Sequence, residues 1–118
     1  MYILVADDDP DIREFVADAL AWDDHVVLVA ENGLEALRLL DEQIPDVILL
    51  DLRMPVMDGP TFARHCWERF GDQIPIIIMS AHIKALRSDL PHAAGFLAKP
   101  FDLEHLIALV EQFGNKPA

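Results

Sequence analysis

A fivefold alternation constrains the fold more than any other feature: short apolar, largely β-branched runs are each followed by a stretch with the apolar period of an amphipathic helix. Strands are predicted over Tyr2 to Ala6, His25 to Ala30, Asp46 to Leu50, Pro75 to Ser80 and, short, Phe96 to Ala98. Val47-Ile48-Leu49-Leu50 and Ile76-Ile77-Ile78-Met79 are apolar at every position, so helices must cover these strands on both sides. The pattern is that of a doubly wound α/β fold, a five-stranded parallel sheet with helices on both faces. At 118 residues, with no linker or low-complexity stretch, the chain is expected to form one domain over residues 1–118.

Local chemistry marks where the helices start. Asp9-Pro10 offers a capping carboxylate followed by a proline at the first helical position, and Ile12, Phe15, Val16, Ala19 and Leu20 then recur on one face. Asn32 is placed to cap a second helix through Leu34, Leu37 and Leu40, and Asp58 a third through Phe62, Cys66 and Phe70. Asp102 is placed to cap the last, with Leu103, Leu106, Ile107 and Val110 as its stripe and Gly114 near its end. The fourth helix is expected to be short or irregular, because Ile83, Leu86 and Leu90 are thinly spaced and Pro91 stops it.

The acids fall where the strands end. Asp7 and Asp8 close the first run, Asp51 closes the third, and Lys99 follows the fifth. Ligand-bearing strand ends of an open parallel sheet share one edge, so these residues can meet in one pocket. Two carboxylates ~5 Å apart repel by about 3 kcal/mol at an effective dielectric near 20, and a third raises the cost, so a cation is expected among them. All the ligands are hard oxygens with no neighbouring Cys or paired His, which selects Mg²⁺, or Mn²⁺, over zinc or copper. A carboxylate beside such an ion can attack phosphorus, and Asp51, alone at the end of its strand, is the candidate nucleophile.

Asp7-Asp8, Asp51-Leu52-Arg53-Met54-Pro55 with Asp58-Gly59, Ser80-Ala81 and Lys99-Pro100-Phe101 together resemble the receiver domain of two-component response regulators, from Ile3 to about Phe113. The resemblance implies the flavodoxin-like strand order 2-1-3-4-5. It also implies a phosphorylation-controlled signalling module of a phosphorelay, in which Asp51 accepts a phosphoryl group from the phosphohistidine of a sensor histidine kinase or histidine phosphotransfer protein. Asp8, Asp51 and the backbone carbonyl of Arg53 would bind Mg²⁺, with Asp7 acting mainly through bound water. Lys99 would pair with Asp51 and later with a phosphoryl oxygen. Ser80 would donate its hydroxyl to another, and Ala81 would leave the approach open. Phe96 would follow Ser80 inward as the aromatic switch that alters a partner-binding surface, and the Lys99-Pro100 peptide would be cis.

The chain departs from the family in the readout region. Nineteen positions separate Ser80 from Lys99, fewer than usual, and His92-Ala93-Ala94-Gly95-Phe96 lacks the acidic pair common in receivers that dimerise to drive DNA-binding domains. Two other function classes compete: a receiver-like scaffold that acts without phosphorylation, against which the complete acidic site argues, and an aspartyl-phosphate phosphatase. Such phosphatases commonly carry a second Asp two residues past the nucleophile, where this chain has Arg53, so no enzyme activity is expected beyond slow self-catalysed phosphotransfer and hydrolysis. The downstream protein target is not specified by the sequence.

Nine Lys and Arg against 21 Asp and Glu, a net charge of −12, oppose direct binding to nucleic acid or an anionic membrane. No apolar run approaches the ~20 residues of a membrane span, and no basic region precedes the first strand, so a cytoplasmic location is expected. Cys66, the single cysteine, is assigned to core packing. The five histidines are read as surface or partly buried residues, with His82 bordering the pocket. Trp22, Trp67, Met54 and Met57 are assigned to packing and a partner-facing loop.

Overall fold

A computed structural model of the chain describes residues 1–81, 90 and 92–114. Five strands, β1 (Tyr2–Ala6), β2 (Val26–Ala30), β3 (Val47–Asp51), β4 (Ile76–Ser80) and β5 (Gly95–Ala98), form one parallel sheet in the order β2-β1-β3-β4-β5. Four helices accompany them among the described residues: α1 (Pro10–Trp22), α2 (Gly33–Glu42), α3 (Gly59–Phe70) and α4 (Leu103–Gly114). The expected irregular fourth helix, with Ile83, Leu86, Pro91 and the neighbouring His82, lies outside the described residues, as do residues 115–118. Of that stretch Leu90 is described, and it is buried.

Both faces of the sheet are covered, as the uninterrupted apolar strands require. Ile3, Val5, Val47, Leu49, Ile77, Met79 and Leu97 pack with Val16 and Leu20 of α1 and Leu106 and Val110 of α4. The alternate residues, Leu4, Ala6, Ile48, Leu50, Ile76 and Ile78, pack with Ala36 and Leu40 of α2 and Phe62, Ala63 and Cys66 of α3. Every residue of β3 and β4 is buried. Burial pushes the Cys66 thiol up to about 11, so it is un-ionised at neutral pH and serves as core packing.

All four helices start at the side chains the sequence marks. Asp9 accepts from Asp11 N–H at 2.9 Å, Asn32 from Glu35 at 2.8 Å, Asp58 from Thr61 at 2.9 Å and Asp102 from His105 at 2.8 Å. Strand edges differ slightly from expectation. His25 belongs to the turn after α1, its N–H donating to Leu20 O at 3.1 Å, and β5 begins one residue early, at Gly95 opposite Ile77.

Three helical positions expected to be inward are not. Phe15 is exposed and leans on Phe101, with ring centroids 6.3 Å apart, while Leu34 and Leu103, in the first turns of α2 and α4, remain exposed. Trp22, the last residue of α1, is 92% exposed and contributes no core packing. Trp67 and Met57 pack against the core, and Met54 is buried within it.

Candidate functional site

The parallel register delivers the acids to one edge. Asp7 and Asp8 follow β1 directly, and Asp51, the last residue of β3, pairs with Met79 of β4. Asp7, Asp8 and Asp51 each offer a carboxylate oxygen within 4.8 Å of the others. Lys99, just past β5, reaches this group from the opposite side of the sheet's centre, its Nζ 2.8 Å from Asp7 Oδ2 and 3.2 Å from Asp51 Oδ1. Its backbone N–H donates to Ser80 O at 2.9 Å, which ties the lysine to the end of β4, and the Lys99-Pro100 peptide is cis.

Burial sets the electrostatics. Asp7 is fully buried and Asp51 is 9% exposed, whereas Asp8 is exposed. Asp51 titrates above the ordinary carboxylate range, first because burial disfavours its charge and next because Asp7 repels it; Lys99 offsets only part of this. Burial alone would pull Lys99 down, but the hydrogen bond to Asp7 and the charges of Asp51 and Asp7 outweigh it and raise its pKa. The ammonium is therefore firmly charged. Three carboxylates against one ammonium leave an excess of two negative charges in an all-oxygen donor set, which fits a hard divalent cation.

Both oxygens of Asp7 already have protein partners, Oδ1 accepting from Asp9 N–H at 2.9 Å and Oδ2 from Lys99, and Lys99 approaches Asp7 more closely than Asp51. The sequence reading does not contain the Lys99–Asp7 pair: the resemblance gives Asp7 mainly to bound water, a role that one protein hydrogen bond on each oxygen leaves open. Arg13 is also missed: from α1 its Nη1 donates to the Asp7 carbonyl at 2.8 Å, bracing the turn that presents Asp7 and Asp8. The signal was local, a basic residue one helical turn past the Asp9 cap.

Ser80 ends β4 as a buried residue, and Ala81 follows it exposed. Ala81, Lys99, Pro100, Phe101, Ile12 and Phe15 line an adjacent groove of about 310 Å³. Phe96 is half-buried on the α2/α3 side of the sheet, opposite Ile78, within the core layer and not among the carboxylates. Arg53 is exposed in the loop between β3 and α3. Gly59 opens α3 against the end of β3: a Cβ there would collide with Asp51 O and lie 2.8 Å from Leu52 Cα, so the Asp58-Gly59 pair is a cap followed by a residue that must lack a side chain.

The chain belongs to the response regulator receiver domain family, whose model matches residues 3–111. It is 39% identical over 113 residues to the DNA-binding transcriptional regulator NtrC of Escherichia coli strain K12, a match covering 93% of this chain and 24% of that protein. It is 37% identical over 109 residues to the response regulator MprA of Mycobacterium sp. strain KMS, covering 90% of this chain and 47% of that one. The chain thus spans between about a quarter and a half of these curated relatives. The crystal structure of the response regulator TrrA from Thermotoga maritima in complex with Mg(2+)-BeF superposes with a TM-score of 0.85 at 32% identity, covering 95% of this chain and 97% of that one. The fold is accordingly that of a two-component signalling domain, and Asp7, Asp8 and Asp51 form its acidic phosphoacceptor pocket.

Proposed function

We propose that residues 1–118 act as one phosphorylation-controlled receiver, with Asp51 as the acceptor. The observation that carries this reading is the Lys99 bridge: its ammonium touches Asp7 and Asp51 while a third carboxylate, Asp8, stands within 4.8 Å of both. In the transfer an Asp51 carboxylate oxygen forms the new O–P bond as the N–P bond of a phosphohistidine breaks, the donor being a sensor histidine kinase or a histidine phosphotransfer protein. Lys99 keeps Asp51 in place before transfer and meets phosphoryl charge after it, and the Ser80 hydroxyl orients a phosphoryl oxygen. Ala81, which carries no side chain beyond Cβ, keeps the approach open.

Asp8, Asp51 and the Arg53 carbonyl would hold Mg²⁺, or Mn²⁺, which when bound supplies charge neutralisation for the phosphoryl oxygens. That the similar TrrA is found in complex with Mg(2+)-BeF supports Mg²⁺ as the cation. Phe96, three residues before Lys99, would transmit the Ser80 movement to a surface read by a downstream protein. No turnover is assigned beyond slow hydrolysis of the acyl phosphate, because Arg53 stands where an aspartyl phosphatase commonly carries its acid. A net charge of −12 supports a partner protein over nucleic acid or an anionic lipid surface, and a cytoplasmic location is part of this reading.

The deciding experiment is intact-protein mass after incubation with Mg²⁺ and acetyl phosphate. Addition of one phosphoryl group, lost in Asp51→Asn, is expected. No addition, repeated with a competent phosphohistidine donor, would remove the acceptor role.

A further inference from the structure

The loop from Leu52 to Asp58 joins β3 to α3 and carries the Arg53 carbonyl of the proposed cation site. It is held at three points. Gly59 N–H donates to Leu52 O at 3.0 Å, Met57 N–H to Pro55 O at 2.7 Å, and Gly33 N–H, from the start of α2, to Met57 O at 2.9 Å. The second bond closes a three-residue turn on Val56, whose φ is 68°. A β-branched residue at positive φ is strained, and turns of this hand are rare. Val56 is 77% exposed, so its own side chain gains little packing in return. Such a conformation persists where its surroundings over-determine it.

The Gly33–Met57 contact supplies that constraint. A Cβ on Gly33 would stand 2.7 Å from Met57 O, 2.8 Å from its Cγ and 3.0 Å from its Cβ. The nearest of these is backbone, which cannot swing aside as a side-chain tip can. Gly33 is therefore required by close approach and not by its own backbone conformation, and it is buried at the contact. Gly59 holds the other end of the same loop against Asp51 and Leu52.

We propose that Gly33 is a positioning residue for the cation site: through Met57 it holds the loop that offers the Arg53 carbonyl, although it lies on α2 and supplies no ligand itself. The inference rests on the reading of Asp8, Asp51 and Arg53 as the ligands. Asp7, Asp8 and Asp51 ride on the ends of β1 and β3, whose pairing does not involve Gly33, so displacing the loop alters the carbonyl and leaves the carboxylates in register. Substitutions that disturb the support of metal ligands typically weaken affinity by 10–100-fold, and Gly33→Ala is expected near the lower end, about tenfold.

The test is calorimetric titration of Mg²⁺ into the full chain as wild type, Gly33→Ala and Asp8→Ala, with thermal stability in EDTA recorded for each. Wild type should bind, Asp8→Ala should not, and Gly33→Ala should remain folded in EDTA yet bind about tenfold more weakly. Its self-phosphorylation by acetyl phosphate should need correspondingly more Mg²⁺ but reach the wild-type plateau, a rescue that a merely structural defect would not show. Unchanged Mg²⁺ affinity in folded Gly33→Ala, or a lowered plateau with an unchanged Mg²⁺ midpoint, overturns the inference while the assignment of the site stands. Wild type that binds no Mg²⁺ overturns both. Should Gly33→Ala fail to fold, Met57→Ala, which removes the side chain seated on Gly33, is expected to weaken binding several-fold, and unchanged affinity there overturns the inference equally.

Discussion

Lys99 lies nearer to Asp7, at 2.8 Å, than to Asp51, at 3.2 Å, so the lysine is first the counter-ion of a carboxylate that has no access to water. That ordering suits the acceptor role proposed for Asp51. Asp7 keeps its partner when Asp51 changes state, and the ammonium needs to move little to meet a new oxygen beside Asp51. It also makes Lys99 a structural element of the unphosphorylated domain.

Removal of that ammonium leaves two buried carboxylates facing each other without a counter-ion. Breaking a buried pair from one side costs about 3 kcal/mol, and ~4 °C of midpoint per kcal/mol is expected for a domain of this size. Lys99→Ala should therefore melt roughly 10 °C below wild type in EDTA and recover part of the loss in excess Mg²⁺, more than wild type gains. Scanning calorimetry in both buffers checks this. Equal midpoints in EDTA would mean that the bridge contributes nothing to stability.

Asp51 should behave in the opposite sense. Its carboxyl is raised first by burial and then by the Asp7 charge, so folding disfavours the ionised form. For a raised carboxylate the destabilisation is fully present above the raised value and disappears as pH falls through it toward the ordinary 3.8. Asp51→Asn removes the charge and should raise the melting midpoint of the cation-free domain at pH 7. The gap should close as the pH approaches 4 and should shrink or reverse in Mg²⁺. Midpoints of both proteins between pH 4 and 7 in EDTA test it, and a less stable Asp51→Asn at pH 7 would mean that the Lys99 pair outweighs burial.

What was legible in the sequence follows from distance along the chain. The caps Asp9, Asn32, Asp58 and Asp102 act within three residues of themselves, and each is found bonded as local chemistry dictates. Strands β3 and β4, apolar throughout, declared their burial, and the order of strand ends brought Asp7, Asp8, Asp51 and Lys99 together because a parallel sheet gathers them on one edge. Contacts between elements were not legible. Lys99's closer approach to Asp7, Arg13 on the Asp7 carbonyl, and the seat of Met57 on Gly33 depend on how α1, α2 and the loops meet the sheet. The stripe of α1 could not say that Phe15 would lean on Phe101 instead of entering the core, since periodicity gives a face and not its edge. Strand β5, Gly95-Phe96-Leu97-Ala98, contains no β-branched residue, which explains why its start was misplaced by one.

The cap of α3 is testable apart from the charged site. Asp58 is held below the usual carboxylate range by hydrogen bonds from Thr61, first its hydroxyl and then its N–H. A depressed carboxylate contributes stability above the ordinary value of 3.8 and loses it as pH falls through the depressed one. Asp58→Ala should cost about 1 kcal/mol at pH 7, in the usual range for an N-cap, and the difference from wild type should fade below pH ~3.8. Urea denaturation at pH 7 and pH 3 measures both, and a difference independent of pH would assign the loss to something other than the carboxylate.

Gly59 joins that cap to the end of β3, and its replacement should be the most damaging single methyl addition near the site. The Cβ of an alanine would overlap the carbonyl oxygen of Asp51, the last residue of a fully buried strand, and press on Cα of Leu52, the residue that follows it, while Gly59 N–H already donates to Leu52 O at 3.0 Å. Neither neighbour can move without shifting Asp51 or breaking that bond. Overpacking of this kind costs about 1–3 kcal/mol, and the upper end is expected because the neighbours are main chain. Gly59→Ala should thus lose roughly 10 °C in midpoint, and because Asp51 itself is displaced, its phosphorylation by acetyl phosphate should slow at every Mg²⁺ concentration. That distinguishes it from Gly33→Ala, whose deficit excess Mg²⁺ should cure. A Gly59→Ala protein with wild-type stability and wild-type rate would show that the end of β3 yields to α3 more readily than its burial implies.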